Sequence, residues 1–217
     1  MNQNPGSSPD RPPTPVRERL IVTAKNLFAA KGYENTSTAE IVREAGTSES
    51  QLVKHFGGKE GLLEAIFEDG WRRLDFIFVA ARAGANPAQR LRMIFELILE
   101  SFHTDPCLME LMLLEGRRIR KDQSDILLTE GYARFINLVE SVIQELLAAS
   151  NRPLEVSSIA ITSALVGTFE SMLRDQLMSR RIGWKHYATD DELKKIFNLW
   201  LRAISLEIGV TQRAVGL

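Results

Sequence analysis

The chain has 217 residues, of which 44% are hydrophobic and 25% charged, a balance that suits one large globular domain or two small ones and excludes disorder throughout. A single cysteine, Cys107, excludes an internal disulfide and a thiolate metal cage, and the scattered His55, His103 and His186 offer too few ligands for a metal site. With 27 basic and 28 acidic residues the net charge is -1, so the total by itself gives no hint of a nucleic-acid partner.

Residues 1–14 are rich in proline and have neither the basic start nor the apolar stretch of a signal peptide, so they are expected to be a disordered lead-in. No apolar run approaches the roughly 18 to 20 residues that a membrane-spanning helix requires, which points to the cytoplasm and away from a membrane. From residue 15 on, apolar residues recur at helical spacing with no alternating strand pattern, and the fold class is all-α. The predicted helices are 16–31, 38–45, 49–56, 59–82, 88–104, 106–117, 124–149, 155–179 and 190–207. Pro87, Pro106 and Pro153 stand at or just ahead of helix starts, where a missing N–H costs least.

The informative stretch is 37–56, STAEIVREAGTSESQLVKHF. Ser37 with Glu40, and Ser48 with Gln51, have the spacing of capping boxes, and Gly46 stands where a sharp turn needs a left-handed residue. Two short helices joined around a glycine have the form of a helix-turn-helix, with Ile41, Ala45, Leu52 and Phe56 facing the first helix. A hairpin inside any helical bundle shares the caps, the glycine and the polar outer face. The outer face of the second helix carries Thr47, Ser48, Glu49, Ser50, Gln51, Lys54 and His55, small or hydrogen-bonding groups suited to a DNA groove. Gln51 matches an adenine edge, Ser50 either base type, and Thr47 a thymine methyl. Ser37, Thr38, Lys54, His55 and Lys59 suit phosphate contacts, two of them beside helix N-termini.

Residues 16–66 resemble the DNA-binding domain of the tetracycline-repressor (TetR) family of bacterial transcriptional regulators. The resemblance is carried by Arg19-Leu20-Ile21, Ala24, Leu27-Phe28, Gly32-Tyr33, Thr36-Ser37, Glu40-Ile41, Ala45-Gly46, Ser48, Leu52, His55-Phe56, Lys59-Glu60 and Leu62-Leu63. The chain departs from the family at Val42, where Ala is usual, at Thr47, where Val is usual, and at Val53, where a Tyr commonly contacts the DNA backbone. The resemblance implies a DNA-binding domain at 15–68, with its motif at about 37–56, and an effector-binding and dimerisation domain at 69–217.

In that second part Trp71, Phe76, Phe78, Met93, Phe95, Phe102, Met109, Met112, Phe135, Phe169, Met172 and Trp200 read first as core. The resemblance implies a ligand cavity there, with Trp71, Phe95, Phe102, Met109, Met112, Phe135 and Phe169 as lining candidates for a small, largely apolar effector. The helix at 86–104 is apolar nearly all round and is expected at the centre. The last two helices carry apolar residues on more than one face, including Ile159, Phe169, Ile196, Phe197 and Trp200; a homodimer through those helices or a larger monomer core would use the surplus.

His103 and Cys107 lack a third ligand, and the basic run 117–121 reads as a solvated connection. No paired carboxylates, triad spacing or phosphate loop marks an enzyme, and no cofactor is implied. The expectation is a homodimeric, ligand-released repressor on a palindromic operator. Alternatives are an activator, or a helical protein of the same fold that binds a partner or a lipid.

Overall fold

The computed structural model describes residues 15–82, 84, 86–115, 130–149 and 155–209. Among these it contains ten α-helices and no strand: α1 (Val16–Lys31), α2 (Thr38–Glu44), α3 (Glu49–Phe56), α4 (Lys59–Arg73), α5 (Asp75–Ala80), α6 (Pro87–Thr104), α7 (Pro106–Glu115), α8 (Glu130–Ala148), α9 (Ser158–Ile182) and α10 (Asp190–Glu207). The fold is all-α. The lead-in 1–14, the basic run 117–121, Pro153 and the predicted helical start at 124–129 lie outside the described residues. The chain divides into two compact units, the first ending at Leu63 and the second beginning at Glu64, so the boundary falls within α4.

In the first unit α1 buries Leu20, Ile21, Ala24, Leu27 and Phe28, a stripe at helical spacing that forms one wall of the core. Gly32, at φ 83°, ends the helix and donates its N–H to the Phe28 carbonyl at 2.8 Å. Helices α2 and α3 pack on α1 and on each other through Ile41, Val42, Ala45 and Leu52, all buried.

In the second unit α6 is central, as its apolar circumference predicts: α5, α7, α8 and α10 all pack against it, and α9 packs on α7 and α8. Three rings tie the layers together. Phe95 of α6 stacks on Phe197 of α10 with centroids 4.3 Å apart, and both meet Phe169 of α9. Trp71 of α4 packs on Tyr132 and Phe135 of α8, directly over Gly131, where an added Cβ would stand 2.2 Å from the Trp71 Cβ. The missing side chain at Gly131 is what admits the indole.

The helix predicted over 59–82 and both ends of α9 depart furthest from the periodicity. The helix predicted over 59–82 breaks at Leu74 (φ −91°, ψ 2°), where the Leu74 N–H turns to the Trp71 carbonyl at 2.9 Å. The tightened turn buries both Leu74 and Ile77 and leaves Phe76 half-exposed, so Phe76 is not a core residue. Helix α9 starts at Ser158 rather than 155, because Ser157 accepts from the Ala160 N–H at 3.2 Å and caps it. It runs to Ile182 rather than 179, stopping at Gly183 with φ 68°.

Candidate functional sites in the two units

The first site is built on α2, the turn and α3. Ser37 accepts from the Glu40 N–H at 3.2 Å and Ser48 from the Gln51 N–H at 3.4 Å, so both helices are capped as their sequences predict. The boxes are one-sided, however. The Glu40 carboxylate turns to Lys31 instead, and that hydrogen bond and charge hold it below the usual carboxylate range. Among the described residues the reciprocal box closes at Thr189 and Glu192, ahead of α10. Gly46, at φ 63°, makes the turn, and Arg19 of α1 clamps it by donating Nε to the Ala45 carbonyl at 3.0 Å and Nη2 to the Gly46 carbonyl at 3.3 Å. The clamp was not among the predicted site residues. A lone Arg on a helix gives no sign in sequence of which carbonyls it will reach.

The outer face of α3 carries Ser48, Ser50, Lys54 and His55, all exposed, with Thr47 and Gln51 half-buried beside them. Ser48 and Ser50 share a hydrogen bond at 2.9 Å, and Thr38, at the start of α2, donates to Glu49 at 3.3 Å. Val53 lies on the same exposed face at 57% accessibility. Ser37 is exposed at the head of α2. Eight of the nine predicted DNA-facing residues thus lie along the two helix starts and the outer face of α3.

Lys59 is the correction. Its Nζ donates to the carbonyls of Tyr33 and Thr36, both at 3.0 Å, and stands 4.3 Å from the centre of the Tyr33 ring. Burial pushes its pKa down. The ammonium therefore ties the start of α4 to the loop after α1 instead of pointing outward to a phosphate, because the carbonyls of Tyr33 and Thr36 both lie within its reach.

The second site is a cavity inside the second unit. Its volume is about 130 Å³, several times what one water needs and enough for a small organic molecule. Trp71, Phe95, Phe102, Met109, Met112, Phe135 and Phe169 all lie in its wall, together with Phe67, Leu74, Leu91, Val139, Leu165 and Phe197. Prediction from sequence passed over the polar wall residues Tyr132, Glu170 and Arg174. Tyr132 donates its hydroxyl to Glu170 at 3.1 Å. Their signal was present, since Glu170 and Arg174 share the α9 stripe with Val166, Phe169 and Leu173, but a charged pair at that spacing ordinarily reads as a solvated face.

Among the described residues no group of three or more His, Cys, Asp or Glu could hold a metal ion; His103 instead reaches Asp190 through Nε2 at 2.8 Å. No described helix is long and apolar enough to cross a membrane.

A three-helix unit with two capped helices around a left-handed glycine and a polar outer face on the second defines a helix-turn-helix DNA-binding protein. Residues 20–66 match the family described as bacterial regulatory proteins, tetR family, so the first unit is a DNA-binding domain of the tetR type. Among the chain's relatives is the nucleoid occlusion factor SlmA of Photobacterium profundum, 24% identical over 196 residues that cover 88% of this chain and 94% of that one. Two solved structures share the fold at a TM-score of 0.71. The fatty acid degradation regulator FadR of Bacillus halodurans is 19% identical, covering 85% of this chain and 97% of that one. FadR of Bacillus subtilis in complex with stearoyl-CoA is 16% identical, covering 90% and 99%.

Proposed function

We propose that the protein is a homodimeric repressor released from a palindromic operator by a small, largely apolar effector, and that it works in the cytoplasm. The observation that carries the reading is the outer face of α3, where Ser48, Ser50, Lys54 and His55 stand exposed on a helix capped at its start. Thr47, Ser50 and Gln51 read base edges; Ser37, Thr38, Ser48, Lys54 and His55 set the register on phosphates. Residues 15–68 serve as the DNA-binding domain and 69–217 as the effector-binding and dimerisation domain.

Dimerisation uses α9 and α10. On α10, Ile196, Leu199, Ala203 and Leu206 are exposed at alternating spacings of three and four, the repeat that packs one helix along another. On α9, Ala160, Ser163, Ala164 and Thr168 present small exposed residues against which such side chains fit, beside the exposed Ile159. A two-fold dimer presents paired recognition helices to half-sites about 34–36 Å apart or a multiple of that.

The effector occupies the cavity of the second unit. A protein of the same fold holds stearoyl-CoA, whose acyl chain is apolar, which supports an effector with an apolar body here. Phe67 and Trp71 bring α4 into the cavity wall, and α4 begins at Lys59 in the first unit. Occupation of the cavity repositions α4 and changes the spacing of the recognition helices, so effector and operator oppose each other by linkage.

A gel shift on the region upstream of the protein's own gene tests the reading, with Gln51→Ala and Lys54→Ala as variants. Both are expected to weaken binding; binding unaffected by either would overturn the assignment of α3. A second reading is supported by similarity to the nucleoid occlusion factor SlmA along most of the chain. A factor acting on the nucleoid as a whole requires many dispersed sites, whereas a repressor requires few, and mapping bound sites across the chromosome separates the two.

A further inference from the structure

We propose that the effector is a monoanion of about one-ring size, a carboxylate on an aromatic or short apolar body, whose charge is read by Arg174; this rests on the cavity being the effector site. The volume sets the first limit. An apolar cavity of about 150 Å³ holds a benzene-sized molecule, and this one, at about 130 Å³, is of the same order. Its aromatic wall, with Phe95, Phe169 and Trp71, suits a flat body.

The charge follows from the three polar wall residues. The Glu170 carboxylate is already engaged, accepting the Tyr132 hydroxyl at 3.1 Å. Arg174 lies one turn further along α9, half-buried in the same wall, and makes no hydrogen bond or ion pair with any described residue. A half-buried guanidinium is only partly hydrated, and a carboxylate matches its planar fork with two parallel bonds. Tyr132 and Glu170 hold the neighbouring polar edge in place and leave Arg174 as the cation available to a ligand. A neutral ligand of equal shape would leave that cation unpaired, and a cationic one would meet it as a like charge.

Isothermal titration of the full chain with phenylacetate, phenylacetamide and toluene tests this, because the three share one ring and differ in charge and polarity. The acid is expected to bind about tenfold or more tightly than the amide, and Arg174→Met is expected to abolish that preference while the ring still binds. Amide or toluene binding as tightly as the acid would overturn the proposal and leave the cavity as an effector site for neutral ligands. An acid preference that survives Arg174→Met would overturn the role of Arg174. Failure of all three to bind at millimolar concentration would overturn the size limit and with it the cavity as the effector site. The acid-to-amide ratio of the unsubstituted protein tests the charge without requiring any variant to fold.

Discussion

Lys54 and Lys59 put the same ammonium to opposite uses. Lys54 is exposed on the outer face of α3, while Lys59 is drawn inward onto the carbonyls of Tyr33 and Thr36. Salt separates the roles. Replacing Lys54 by Ala is expected to reduce the slope of log affinity against log salt by about 1, since one phosphate contact releases about one counterion. Lys59→Ala is expected to leave that slope unchanged and to lower stability by about 1.5–3 kcal/mol in urea unfolding, the range for a hydrogen bond to a charged group. Residue type was legible in the sequence for both lysines and direction was not, because direction depends on carbonyls that the loop after α1 brings within reach. Arg19 was hidden for the same reason. The caps at Ser37 and Ser48 were legible because a cap bonds within its own turn.

Helix bounds were read well at α1 and α10, and missed at Leu74 and at both ends of α9. Helix α1 runs over Val16–Lys31 and α10 over Asp190–Glu207, as the periodicity predicts, with a glycine closing the first and a capping box opening the second. The break at Leu74 has no glycine or proline to mark it; only the turn of its N–H to the Trp71 carbonyl reveals it. The capping box carries a pH dependence. The backbone N–H of Thr189, and then its hydroxyl, hold Glu192 below its ordinary pKa of 4.5. A carboxylate with a lowered folded pKa stabilises fully above its unfolded value and loses that contribution as pH falls through the folded one. The difference in melting temperature between the unsubstituted protein and Glu192→Gln is therefore expected to be steady near neutrality and to close below about pH 4.5. At Gly131 two effects oppose each other. Alanine favours a helix interior by about 1 kcal/mol, but a Cβ would stand 2.2 Å from Trp71, and overpacking of that kind costs about 1–3 kcal/mol. Gly131→Ala is expected to be destabilising in urea unfolding.

For the whole molecule, the near-zero net charge conceals a division. Residues 15–59 hold seven basic and five acidic side chains, and 60–217 hold nineteen and twenty-two, a mildly basic head on a mildly acidic body. In the proposed dimer both charges double, and the modest excess assigns discrimination to groove contacts and head spacing more than to bulk attraction. The proposed pairing surface draws on residues that the sequence marks unequally. Ile196 was among the surplus apolar residues, but Leu199 and Leu206, at 61% and 64% accessibility, were indistinguishable from core until Leu193, Phe197 and Leu201 were seen to fill the inner face. Leu199→Glu is expected to convert the dimer to a monomer in analytical ultracentrifugation and to weaken operator binding without disturbing α3. Retention of the dimer would remove α10 from the interface.

The chain has three tryptophans, and Trp71 is the one that lines the cavity; Trp184 is half-exposed and Trp200 half-buried. With Trp184 and Trp200 replaced by Phe, the remaining indole becomes an optical gauge in the wall of the chamber, seated on the helix that carries the boundary between the two units. Its emission would follow cavity filling in real time, in the same cuvette as an operator titration and without any attached dye, so that the order of effector arrival and DNA departure could be timed directly.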